Sequence, residues 1–424
     1  VTSETLNRSR ASFYKNPGHS GRVVLVLGAG NLAMIPVMDV ITMMFNEGKV
    51  CMLKMNPVNA YLGPFIEEAF APAIERGFLS VAYGGVEEAR YLIDHPLIDE
   101  IHMTGSDRTH DAIVWGPPGP ERAERMARNR PQCQKEITSE LGCISPMLVV
   151  PGPWDRARLR AQAENVAGSV VNNGSYNCAA GRLLVLPRGW PLRDAFLSEL
   201  ERCLSLSPAR APWYPGALER YRALTEGRAE VRRVGQGQGV VPWTLVEGLD
   251  PATTDPAFTT EPFCPVVSLV AVGSDDPQEY LARAVDFVNE RVWGTLAAQI
   301  SVHPSTLADS TLGRAVEEAI RRLRYGTVTV NIFSAFGFAF GTTPWGAYPG
   351  SSLTDIQSGR GFVHNTLMVE GVEKVILRYP ARAFPKPQHF PSHRTVRPLA
   401  RRMVDLEAGR LWALPGVVAA GVRG

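Results

Sequence analysis

The stretch Val23-Val24-Leu25-Val26-Leu27-Gly28-Ala29-Gly30-Asn31-Leu32-Ala33 decides the fold. Five consecutive apolar residues closed by glycine read as a strand buried on both faces, as in a parallel sheet flanked by helices. The pattern repeats outward from it. A helix is predicted over residues 36–47, a strand over 50–53, a helix over 62–76, a strand over 79–83, a helix over 86–94 and a strand over 99–103. Strands alternating with helices specify a doubly wound α/β sheet. Gly116-Pro117-Pro118-Gly119-Pro120 breaks the rhythm and opens a charged insertion, 121–130, expected as a solvated helix or loop. A second α/β pattern begins near residue 146, with helices over 156–170, 193–204 and 278–290 and strands over 183–186, 266–272 and 327–331. Residues 205–257, rich in Pro, Gly and Arg, are expected to be mostly loop. The chain therefore divides into a first domain, 1–142, a second, 143–365, and a C-terminal arm, 366–424. Residues 1–21 are a candidate oligomerisation arm, and the Pro-rich tail with a basic helix over 398–412 is read as a surface arm packing on a neighbouring subunit, with a membrane-surface or anionic contact as the alternative.

At 424 residues the chain is long enough for two such cores. An apolar fraction of 45% and a charged fraction of 20% are ordinary for a globular enzyme. A net charge of +2 leaves no electrostatic footprint for nucleic acid. No run reaches the roughly 18 apolar residues of a membrane span. Residues 34–45 come nearest, and Asp39 interrupts them. The six cysteines (51, 133, 143, 178, 203 and 264) form no CxxC pair and no framework spacing, which points to a reducing, cytoplasmic setting. The eight histidines show no metal-ligand spacing, so no metal is expected. The first residue is Val, and an N-terminal piece is expected to be missing.

Gly28-Ala29-Gly30-Asn31-Leu32-Ala33 fits the dinucleotide fingerprint GxGxxG/A, but the strand that should end in an acid ends in Lys54. The other use of the segment centres on Asn31, whose amide at a strand terminus can donate to a developing oxyanion. It can equally cap the next helix. Lys54, at the carboxyl end of its strand, can reach ribose hydroxyls or a phosphate, or be an ordinary surface lysine. In Thr104-Gly105-Ser106 the small residues Gly105 and Ser106 let a pyrophosphate approach a helix N-terminus. Cys178, in Asn173-Gly174-Ser175-Tyr176-Asn177-Cys178-Ala179-Ala180-Gly181, is a candidate nucleophile. Glu140, in Glu140-Leu141-Gly142, is a candidate base for activating water. A thiol and a base are the minimal equipment for making and hydrolysing a thioester. Glu261-Pro262-Phe263 can clasp a ribose and flank a nicotinamide, or simply begin a strand.

In order and spacing these anchors resemble the aldehyde dehydrogenase superfamily from about residue 22 to 361. The resemblance runs through Asn31, Leu53-Lys54-Met55, Met103-Thr104-Gly105-Ser106, Glu140-Leu141-Gly142-Cys143-Ile144-Ser145-Pro146, the Cys178 segment, Glu261-Pro262-Phe263-Cys264-Pro265-Val266 and Tyr325-Gly326-Thr327-Val328-Thr329-Val330-Asn331. It implies a Rossmann-like cofactor domain and an α/β catalytic domain. It implies Cys178 as nucleophile, Glu140 as deacylation base and Asn31 in the oxyanion site. Lys54, Gly105, Ser106, Leu141, Glu261 and Phe263 are implied to hold NAD or NADP. It implies a small-molecule aldehyde substrate and a homodimer or homotetramer. Tyr176, residues 205–257 and residues 333–338 are expected to line the aldehyde channel. Gly30, Cys143 and His110 depart from the pattern, and the family's acidic residue shortly after the ribose lysine is absent, with Pro57 near its place, which leaves NAD against NADP open. Glu140 favours hydrolysis over acyl transfer to coenzyme A or acyl reduction. A catalytically silent binding or assembly subunit is the alternative from another class.

Overall fold

The computed structural model describes residues 3–16 and 18–424. Its first five strands are β1 (Val23–Leu27), β2 (Val50–Lys54), β3 (Leu79–Ala82), β4 (Glu100–Gly105) and β5 (Glu136–Leu141). The next seven are β6 (Pro146–Val149), β7 (Leu183–Pro187), β8 (Val231–Val234), β9 (Trp243–Leu249), β10 (Val266–Val272), β11 (Ala297–Ser301) and β12 (Thr327–Val330). Four short strands follow: β13 (Pro344–Gly346), β14 (Gly359–Arg360), β15 (Phe362–His364) and β16 (Val375–Arg378).

The strands form a six-stranded sheet, β14-β5-β4-β1-β2-β3, an eight-stranded sheet, β16-β12-β11-β6-β7-β10-β9-β8, and the two-stranded ribbon β13-β15. β1 to β5 run parallel, and only β14 joins them antiparallel. The alternation inside β1 shows why the apolar run is needed. Val24 and Val26 pack with Val40, Met43 and Leu53 on one face. Leu25 packs with Ile101, Met103, Val114 and Trp115 on the other. From β1 the chain winds out through β2 and β3, then returns to lay β4 on the other side of β1. That reversal is a topological switch point, and it opens a crevice at the carboxyl ends of β1 and β4. The register brings Leu27 level with Lys54 and with Met103, and Gly105 level with Leu141.

Three sequence expectations change. The predicted 36–47 helix divides into an α-helix, Ile35–Ile41, and a π-turn, Thr42–Asn46. Residues 205–257 carry the helix Ala217–Thr225 and the strands β8 and β9, whose Trp243, Leu245 and Val246 are buried. The Pro and Gly residues there mark the turns between short elements. The segment read as an arm holds β16, which adds to the second sheet beside β12. Past it, Gln162 Nε2 donates to the Ala381 carbonyl and Asn165 Oδ1 meets His389 Nε2 at 2.7 Å. The tail thus packs on the helix Arg156–Val171 of its own chain. No helix among the described residues is long and apolar enough to cross a membrane.

Candidate active site

Cys178 is positioned by a turn that few residues tolerate. The helix Arg156–Val171 ends at Asn172, and Asn173, Gly174 and Ser175 then take φ of 51°, 68° and 68°. Left-handed backbone is cheap for Gly, tolerable for Asn and costly for Ser. Side chains fix the turn from both sides. The Asn31 and Asn173 amides donate to the Tyr176 carbonyl at 3.1 and 2.8 Å. Arg182, fully buried, donates from Nη2 to the Ser175 and Asn177 carbonyls at 2.6 and 2.7 Å. The Asn177 side chain accepts from Ala179 N–H at 2.9 Å. Cys178 is left half-buried, packed against the second core on one side and lining a cleft on the other.

Glu140 sits near the end of β5, level with Thr104 of β4, and is 2% exposed. Neither carboxylate oxygen has a hydrogen-bond partner. Burial pushes its pKa up to about 7; the neighbouring Cys178 thiol, Trp345 and His102 oppose the rise and Asp39 adds to it. Burial, with Glu140 alongside, also raises the Cys178 thiol well above its ordinary value. The ligand-free pair therefore favours a protonated sulfur, with the carboxyl poised to exchange a proton near neutrality.

One cavity of about 810 Å³ is lined by Asn31, Lys54, Gly105, Ser106, Glu140, Leu141, Cys178, Glu261 and Phe263 together. All nine residues singled out in the sequence converge there. Asn31 keeps one amide N–H committed to Tyr176 and one free. Lys54 is 5% exposed and donates to the Gly84 carbonyl at 2.7 Å, and burial lowers its pKa. Glu88, whose charge opposes that fall, lies on the Gly84-Gly85 turn. Ser106 caps the helix Asp107–Val114 by accepting from Thr109 N–H at 3.1 Å. Glu261 accepts from Cys143 N–H at 3.3 Å and packs where a Cβ on Gly142 would lie, 2.0 Å from its Oε2. Burial raises its pKa to about 7, against the pull of Arg182. Phe263 holds a φ of 42°, an outlier for a bulky residue. Its ring lies 5.6 Å from the Arg182 guanidinium and 4.8 Å from Tyr214.

The channel expectation needs correction. Tyr176 is fully buried against Trp213, Tyr214 and Phe263, and the cavity takes only Tyr214, Pro215 and Arg220 from residues 205–257. Phe333 and Phe338 are buried in the second core, and residues 333–338 do not line the cavity. Sequence reasoning passed over Arg182, Asp39, His102 and Trp345. Asp39 had been noted only as a break in an apolar run, which is itself a signal.

The cavity suits a dinucleotide in its shape and chemistry. It joins a lysine at the tip of β2, small residues at the start of a helix, and a thiol at the far end. Residues 4–206 match the aldehyde dehydrogenase family model. The chain is 25% identical over 389 residues to 1-pyrroline-5-carboxylate dehydrogenase 1 of Halalkalibacterium halodurans, covering 84% of this chain and 67% of that protein. It superposes on gamma-glutamyl-gamma-aminobutyraldehyde dehydrogenase of Burkholderia cenocepacia with a TM-score of 0.61 and 26% identity, covering 82% of this chain and 66% of the other. The NADP-dependent glyceraldehyde-3-phosphate dehydrogenase of Bacillus halodurans, crystallised with NADP, shares the fold at a TM-score of 0.62 and 19% identity, covering 83% and 67%. The chain spans from 30% to 67% of the length of the curated relatives it matches.

Proposed function

We propose, proceeding from the membership of this chain in the aldehyde dehydrogenase superfamily, that it oxidises a small aldehyde to a carboxylic acid through Cys178 with NAD or NADP. One observation carries this reading. Cys178, Glu140 and Asn31 line one cleft that runs on to Lys54, Gly105 and Ser106. On this reading residues 1–142 are the cofactor domain and 143–365 the catalytic domain, with β14 crossing back to the first sheet.

Lys54, Gly105, Ser106, Leu141, Glu261 and Phe263 would hold the cofactor, and its nicotinamide supplies the hydride acceptor when bound. The chain's own residues do the rest. Cys178, deprotonated, adds to the aldehyde carbonyl, and the free Asn31 N–H with the Cys178 backbone N–H takes up the oxyanion charge. Losing one such donor typically costs about 2.7–4 kcal/mol of barrier. Oxidation leaves an acyl group on the sulfur. Glu140 then takes a proton from water as the water oxygen adds to the thioester carbonyl. The C–S bond breaks, and the acid leaves. The six free cysteines fit a reducing, cytoplasmic setting. The free edge of β16 in the second sheet supports assembly into a homodimer or homotetramer.

The test is Cys178→Ala. Reduction of NAD or NADP across an aldehyde panel should fall by at least about 10³-fold while cofactor still quenches intrinsic fluorescence. Retained turnover removes Cys178 from the role assigned to it. Alkylation mapped by mass spectrometry is a second check. Only Cys178 and Cys133 are part-exposed, both line the cleft, and cofactor should change the rate at both.

A further inference from the structure

Behind Glu140 lies a group of buried polar atoms that the chemistry above leaves unused. Asp39, on the helix Ile35–Ile41, is fully buried, with Oδ2 accepting from Thr104 Oγ1 at 2.9 Å and Oδ1 unpartnered. His102 Nε2, also unpartnered, lies 3.7 Å from Asp39 Oδ1. The other ring nitrogen of His102 meets Thr138 Oγ1 at 2.9 Å. Register explains the gathering. His102 pairs with Thr138 and Thr104 with Glu140, so the alternation of β4 and β5 sets these four side chains on one face of the sheet. Asp39 covers that face from its helix, and β15 and β13 bring His364 and Trp345.

The groups that face Glu140 are Cys178, Asp39, Trp345 and His102, and Asp39 in turn faces His364. Trp345 Nε1 and both ring nitrogens of His364 are unpartnered, as are both Glu140 oxygens. Buried polar groups are nearly always satisfied, and each one left over is costly. So many in one place, on five elements, mark a polar interior rather than a packing defect, and such interiors are bridged by water.

We infer that Asp39 and His102 form a proton relay behind Glu140 that clears the deacylation proton from the cleft, an inference that rests on the aldehyde-oxidation reading. As the water oxygen bonds to the acyl carbon and the sulfur departs with the C–S electron pair, one water proton passes to Glu140. A bridging water then carries that proton to His102 Nε2, held by Asp39, while the Nδ1 proton passes to the part-exposed Thr138 hydroxyl and on to solvent, so that Glu140 and the pair both return to their starting state for the next turnover. Asp39 and His102 touch neither substrate nor cofactor, so they are positioning residues acting through Glu140.

The experiment uses the full chain, with NAD and NADP and a panel of aliphatic and aromatic aldehydes, in rapid-mixing absorbance at 340 nm from about pH 6 to 9. Asp39→Asn and His102→Gln should each keep the burst rate and amplitude within about twofold while the steady rate falls about tenfold or more. The acidic limb of the steady-rate profile should move, and its solvent deuterium effect should grow. A structural defect alone would lower the burst amplitude in step with the fraction folded and leave the limb in place. Should either variant fail to fold, Thr104→Val, which removes the hydroxyl that holds Asp39, gives the same readout. An unchanged steady rate, limb and isotope effect in the variants overturns the relay and leaves aldehyde oxidation standing. No reduction of NAD or NADP by the unaltered protein, in the burst or in the steady state, with any aldehyde overturns aldehyde oxidation and the relay with it; steady turnover without a burst in the unaltered protein overturns the relay alone, since deacylation then does not limit the rate.

Discussion

Glu140 shows how one buried residue sets both chemistry and stability. Its pKa, about 7 in the fold against an ordinary glutamate value of 4.5, means that the folded protein binds a proton that the unfolded chain releases. Stability linked to this group is therefore fully present below the unfolded value and is lost as pH rises through about 7. Fully ionising it in place costs on the order of 3 kcal/mol. Glu140→Gln removes that cost, so the variant should melt higher than the parent at pH 8 and close to it at pH 5, read by calorimetry. The same change should leave a burst of reduced cofactor and slow the steady rate by about 10²–10⁴-fold. A variant that melts at the parent's temperature at both pH values would mean that the carboxylate is well solvated. Glu140 and Cys178 were legible in the sequence because short motifs in a fixed order mark them. His102 and Trp345 were not, because each is unremarkable locally, and Asp39, though it interrupts an apolar run, showed no partner until strand register and a helix brought all three under Glu140.

Among the elements, the parallel strands were the most legible, since a continuous apolar run closed by glycine has few other uses. The strand β14 was not, because its two residues carry no periodicity and it exists only by pairing with β5 from far along the chain. That pairing sets Gly359 level with Glu140 and closes the edge of the first sheet at the site. Gly359 has a φ of 110°, and a Cβ there would lie 2.1 Å from the Ser139 carbonyl oxygen. Backbone cannot yield as a flexible side chain does, so Gly359→Ala should cost about 2–3 kcal/mol and lower turnover by loosening β5 around Glu140. Gly361→Ala is the control. Its φ is 91°, but its nearest contact would be Thr138 at 3.4 Å. It should cost only the backbone penalty, about 1 kcal/mol. Urea midpoints measure both, and equal losses would show that φ rather than the clash decides. Residues 205–257 were misread for the opposite reason, since turn residues spaced between short elements look from composition like one long loop.

At the scale of the whole molecule, the C-terminal tail and the nucleophile turn belong to one mechanical unit. The helix Arg156–Val171 is buried on most of its faces and feeds directly into the left-handed turn before Cys178. The tail lies along this helix and is tied to it at three points. Gln162 Nε2 donates to the Ala381 carbonyl at 2.8 Å, His389 meets Asn165 at 2.7 Å, and Ser392 N–H donates to Glu164 at 2.9 Å. The approach is close enough that a Cβ on Gly168 would lie 2.5 Å from the His389 carbonyl oxygen. Sequence composition marked the tail as basic and Pro-rich and so as surface; it held no sign of which helix the tail would cover, because each contact is a lone polar pair. If the tail braces the turn, a chain ended after Tyr379 should melt at a lower temperature and give a smaller burst, while cofactor binding at the first sheet persists. Losing three buried or part-buried hydrogen bonds would account for about 2–4 kcal/mol of that change. Gly168→Ala, which pushes the tail off without shortening the chain, should reproduce the loss of burst in part. A shortened chain with the parent's melting point and burst would make the tail a passenger on this helix, and the turn before Cys178 would then owe its shape to its own hydrogen bonds with Asn31, Asn173, Asn177 and Arg182.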